Sequence, residues 1–101
     1  MELALQINSV FRVAGWQIVK PLEPLTPDRL LEDLAQYSKR AVVVDLGYYP
    51  ENDAENGAFR IHAVRGEDWE HPLVDIKVRD ANMALDLLRQ MPGLLGRLGP
   101  L

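Results

Sequence analysis

The sequence predicts an α/β (α+β) fold: one domain over residues 1–101, a mixed sheet of about four strands with three helices, in the order α-β-α-β-β-β-α. Three observations lead there. Ala41-Val42-Val43-Val44-Asp45-Leu46 places valine on both faces of an extended run, as a central strand does. Phe59, Ile61 and Ala63 alternate with Arg60, His62 and Val64, and Val74, Ile76 and Val78 alternate with Asp75, Lys77 and Arg79, so two more strands each have one covered and one open face. Three other segments repeat apolar residues every three or four positions, the spacing of an amphipathic helix.

Leu3, Ile7, Val10, Phe11 and Ala14 fall at helical spacing, and Gly15 stands where a C-cap belongs, so a first helix covers about residues 2–14. Trp16 to Lys20 is a short strand with Trp16 and Ile18 on one face, ended by Pro21 and Pro24. Thr26-Pro27-Asp28 has the chemistry of a helix start: a capping hydroxyl, a proline at the first helical position and an acid in the first turn. That helix is expected to run to about Ser38, burying Leu30, Leu31, Leu34, Ala35 and Tyr37, with Lys39 and Arg40 at its C-terminal end. A helix between two strands implies a parallel pair with a right-handed crossover. Loops of about eight residues join the last three strands, which suits an antiparallel meander. Asp80 caps a final helix carrying Ala84, Leu87, Leu88 and Met91, and Pro92-Gly93 is expected to stop it. Met83 and Met91 read as core. The apolar, glycine-broken tail from Leu94 to Leu101 either packs back on the core or frays.

Composition narrows the function classes. Apolar residues make up 48% and charged residues 26%, as in a soluble globular domain. With no cysteine, disulfide and thiol chemistry are out. The N-terminus lacks a basic segment followed by an apolar run, and no stretch approaches the roughly 18 apolar residues of a membrane span. A cytoplasmic protein with no membrane contact is the expectation. The net charge of −4 is uneven: residues 45–75 hold eight acids and two bases, a net of −6, leaving +2 elsewhere. Nucleic-acid binding needs clustered Lys and Arg, so direct contact with RNA or DNA is not expected, and a basic protein partner suits the chain better.

No catalytic motif is present. Asp53-Ala54-Glu55-Asn56-Gly57 resembles a cation loop only superficially, because it lacks the spaced ligands and closing bidentate glutamate of a calcium loop. It reads as a solvated turn. His62 should stand on the open face of its strand, near Asp45 or Asp75 on neighbouring strands, a trio that can tune a proton acceptor. No Ser, Thr or Cys stands in a nucleophile motif beside it, so an ordinary polar sheet face is the simpler reading. Isolated glycines form no nucleotide-binding loop, and no metal or cofactor is expected. Trp69, between Asp68 and Glu70, either lies as a lid on the sheet edge or anchors a recognition surface. Alternation puts Tyr48 in the core and Tyr49 outside.

The central run resembles immunity proteins of bacterial contact-dependent growth inhibition and related polymorphic toxin systems. The residues that carry the likeness are Val43, Asp45-Leu46-Gly47-Tyr48-Tyr49-Pro50-Glu51, then Gly57, Phe59 and Ile61, then Asp68-Trp69-Glu70-His71-Pro72, with a helix ending at Gly15-Trp16. The resemblance implies a non-enzymatic cytoplasmic antitoxin that binds and blocks the C-terminal domain of a toxin, often a nuclease acting on RNA or tRNA. Charge leads to the same expectation. A nuclease cleft is basic, and an acidic, aromatic surface can occupy it. The residues expected at that interface are Asp45, Tyr49, Glu51, Asp53, Glu55, Glu67, Asp68, Trp69, Glu70 and Asp75. A monomer is expected. The alternatives are a homo-oligomeric adaptor pairing through a strand edge, and a ligand-binding domain or enzyme that uses His62.

Overall fold

Strict alternation builds a larger sheet than the sequence predicts. A computed structural model describes residues 2–97. Its elements are α1 (Leu3–Val13), β1 (Gln17–Lys20), β2 (Ala35–Lys39), β3 (Val42–Tyr49), β4 (Ala58–Arg65), β5 (Val74–Val78) and α2 (Ala81–Gly96). The five strands pair in sequence order, each antiparallel to the next. The α+β class therefore holds, while four strands and three helices become five and two.

The expected helix from Thr26 is the main correction. Residues 21–34 are irregular, and Ala35–Lys39 is a strand. The apolar residues there fit both periods. Leu30 and Leu34 are buried in the irregular segment, and Ala35 and Tyr37 are buried by strand alternation with Gln36 and Ser38 outside. The backbone of residues 30–34 finds its partners on β3 and the following loop instead of within a helix. Leu34 N–H donates to Leu46 O at 3.0 Å, Tyr48 N–H to Leu31 O at 2.8 Å and Asn52 N–H to Leu30 O at 2.7 Å. No crossover remains, so the predicted parallel pair is replaced by the antiparallel β1–β2 pair.

Register fixes the two faces. Tyr37, Val44, Ala63 and Val74 form one cross-strand row, and Ala35, Leu46, Ile61 and Ile76 form the next. Apart from Val74 and Ile76, which pack against it and stay partly covered, these rows belong to the core cluster, which also contains Ala4, Ile7 and Phe11 of α1 and Ala84, Leu88, Met91 and Leu95 of α2. Both helices therefore lie on one face of the sheet. Glu2 caps α1, its carboxylate accepting from the backbone N–H of Ala4 and Leu5, and Asp80 caps α2. The α2 helix does not stop at Pro92: it runs to Gly96 and buries Leu95 completely. Met83 is half exposed, not core. Residues 98–101 of the expected tail lie outside the described residues. No described helix is long and apolar enough to cross a membrane.

One buried polar group ties α1 to the sheet. Asn8 is 5% exposed, and its Oδ1 accepts from Leu22 N–H at 3.0 Å and from the Tyr37 hydroxyl at 2.6 Å. Its Nδ2 donates to Leu22 O at 2.9 Å. All three partners satisfy one another in the core, which is what makes burial of the amide tolerable.

Candidate functional site

No described helix covers the second face of the sheet. Its central row runs Gln36, Asp45, His62, Asp75 across β2 to β5, each residue directly opposite the next. The adjacent row is Gly47, Arg60 and Lys77. The expected closeness of His62 to both Asp45 and Asp75 follows from this register. His62 Nε2 lies 3.3 Å from Asp75 Oδ1, and Arg60 Nη2 donates to that same oxygen at 2.7 Å. The hydrogen bond from Arg60, aided by its charge and that of His62, holds the Asp75 carboxyl below the usual range. Arg60 Nε is buried and has no hydrogen-bond partner among the described residues.

Asp45 behaves differently. It lies half buried on the central strand, and no hydrogen bond or ion pair joins its carboxylate to another described residue. Burial pushes its carboxyl up to about 6, and the nearby Asp33 charge adds to the effect. The irregular segment explains why Asp33 is there. Between the bonds to Leu46 and Tyr48, residues 32 and 33 bulge away from β3 over this face. Only glycine at position 47 leaves space, since a Cβ there would collide with the Glu32 carbonyl. Tyr49 closes this end of the face, its hydroxyl donating to Glu32 O at 3.3 Å, and Lys20 reaches Asp33 at 3.8 Å.

The acidic loops occupy opposite ends of the sheet, because consecutive hairpin loops of a meander alternate ends. In the β3–β4 loop two acids serve the fold. Glu51 accepts from Glu32 N–H at 2.9 Å, and Asp53 accepts from Asn56 N–H at 3.0 Å. The Asn56 bonds hold the Asp53 carboxyl low. Glu55 is exposed, and its backbone carbonyl accepts from Arg79. In the β4–β5 loop Asp68 contacts His71 at 3.0 Å, while Glu67 and Glu70 are exposed and their carboxylates bind no described residue. Trp69 is 50% exposed, and its ring stands 6.3 Å from that of His62, edge to face. It is neither a full lid nor free of the sheet.

The ten residues expected at an interface thus divide into three groups. Asp45, Tyr49 and Asp75 share the open face, Glu67, Asp68, Trp69 and Glu70 border it at one end, and Glu51, Asp53 and Glu55 lie in the loop at the other. The sequence reading missed Asp33, Arg60 and Lys20 as parts of this surface. Arg60 could have been found from its alternation with Ile61, but Asp33 depends on a bulge inside a segment read as helix. Among the described residues, no group of three or more His, Asp or Glu side chains could hold a metal ion.

Comparison with protein-family models, curated proteins and solved structures finds no match.

Proposed function

We propose that this chain is an immunity protein: a non-enzymatic cytoplasmic inhibitor that binds a cognate toxin domain, a nuclease acting on RNA or tRNA, and fills its basic cleft with the open sheet face. The observation that carries the reading is Asp45, a half-buried carboxylate on the helix-free face of the central strand with no donor among the described residues. A guanidinium or ammonium from a partner supplies what is missing. Such a charge-assisted bond is among the stronger polar contacts available at an interface. Tyr49 and Trp69 stand at the margins of the same face, where aromatic anchors exclude water around buried polar contacts.

The test is co-expression with the C-terminal domain of the protein encoded by the neighbouring gene. The expected result is a stable one-to-one complex per chain in which nuclease activity is lost, and Trp69→Ala or Asp45→Lys weakens the complex while circular dichroism is unchanged. Full nuclease activity and no complex would discard the reading.

A ligand-binding or acid–base role for His62 is the second reading, favoured by the Asp45–His62–Asp75 row itself. It requires that a small-molecule ligand shift the His62 ring resonances in NMR spectra and that His62→Gln abolish the shift. Unchanged spectra across a metabolite panel would remove it.

A further inference from the structure

We propose that two copies of this chain pair through their β5 strands, antiparallel about Ile76, to form one continuous ten-stranded sheet.

The two edges of the sheet are built differently. At β1 the ladder with β2 slips between Ile18 and Lys20, and Pro21 follows at once. Bulges and prolines are the usual devices that make an edge unable to take another strand. At β5 all five residues keep an unbroken register with β4, and the strand contains neither proline nor glycine. Its outer backbone groups form a regular template.

The side chains at this edge are also incomplete. Ile61 and Ala63 of β4 are fully buried, whereas their neighbours Ile76 and Val74 on β5 pack on the core and stay only partly covered. Beside Ile76 a groove of about 370 Å³ runs along α2, lined by the apolar Leu87, Met91 and Leu94 together with Arg89, Gln90 and Arg97. Leu94 is 41% exposed. An added strand with apolar residues on the helix side would cover this strip.

Charge decides which strand fits. Around a twofold axis at Ile76, Ile76 faces its own copy and Val74 faces Val78 of the second copy. Asp75 then faces Lys77 of the second copy, and symmetry makes that contact twice. Lys77 has no carboxylate partner among the described residues. Asp75 uses Oδ1 for both Arg60 and His62, which leaves Oδ2 for the incoming ammonium. An edge lysine ordinarily guards against strand addition. Here an aspartate two residues away turns the same lysine into an attraction, since opposite charges directly across a ladder are favourable and like charges are not. A twofold axis perpendicular to the sheet keeps the helices of both copies on one side. The open face with Asp45 stays uncovered, so the pairing stands whether or not that face binds a toxin.

The test is sedimentation equilibrium across protein concentration, joined to cross-linking. The intact chain is expected to reach dimer mass. Lys77→Glu places four carboxylates across the axis and is expected to raise the dimer dissociation constant roughly tenfold to a hundredfold. Mixing it with Asp75→Lys is expected to restore association as a heterodimer. Directly opposed residues have Cα atoms about 4.5–5.5 Å apart, within disulfide reach. The chain has no cysteine, so Ile76→Cys should give a covalent dimer on oxidation and Val19→Cys on β1 should not. Monomer mass at every concentration overturns the proposal and leaves the β5 edge to a foreign strand. A dimer that cross-links through Val19→Cys and not Ile76→Cys overturns it as well.

Discussion

Asp45 concentrates the tension between stability and binding in one side chain. Its carboxyl is held at about 6, above the ordinary 3.8, mainly because burial disfavours the charged form. A carboxyl raised on folding binds its proton more tightly in the folded state. Its favourable share is therefore complete below the unfolded value and is lost as pH rises through about 6. Asp45→Asn removes that loss. It is expected to raise stability at pH 8 by about 1–3 kcal/mol and to change it little at pH 4, which urea midpoints at the two pH values will read. An equal shift at both values would mean that the ionised form is not penalised. That Asp45 and His62 share a face is readable in sequence, because alternation sets the face, while their direct opposition comes from the β3–β4 register. Asn8 is not readable in the same way. Its place in the apolar stripe of α1 gives no hint that Leu22 and Tyr37, far along the chain, meet its amide.

Elements were legible where a single period fits. The strands β3, β4 and β5, the first helix and the caps at Gly15 and Asp80 follow from pattern and composition. The apolar residues of 26–38 satisfy both periods, and backbone partners on β3 and the loop after it hold residues 30–34 as an irregular segment and Ala35–Lys39 as a strand. At α2 a local rule lost to packing. Pro92 cannot donate to the Leu88 carbonyl, yet Ala84, Leu88, Met91 and Leu95 continue one buried stripe across it. The turn after the proline is held by what Leu95 buries. Leu95→Ala is expected to cost about 2–4 kcal/mol, read as a fall in the urea midpoint without a change in slope. A neutral substitution would mean that the helix ends at Pro92 in solution.

At the scale of the whole molecule, the sequence-level acidic segment is not one patch. Its net of −6 is folded so that the β3–β4 and β4–β5 loops stand at opposite ends of β4. The seven steps of about 3.3 Å along β4 put them roughly 23 Å apart, well beyond a Debye length of about 8 Å at physiological salt. A basic cleft engaged at one end feels the other end only weakly. The two ends are also unequal. Glu51 and Asp53 are occupied by backbone N–H groups, whereas Glu67 and Glu70 are unengaged and Trp69 stands half exposed between acids. Steering of a basic partner therefore belongs to the β4–β5 end. Reversing Glu67, Asp68 and Glu70 to lysine is expected to slow association with the cognate toxin domain by about tenfold or more at low salt and to flatten its salt dependence. Reversing Glu55 alone at the far end is expected to change the rate less than about twofold. Stopped-flow association rates across ionic strength separate the two. Equal sensitivity at both ends would mean that steering is not confined to the β4–β5 end.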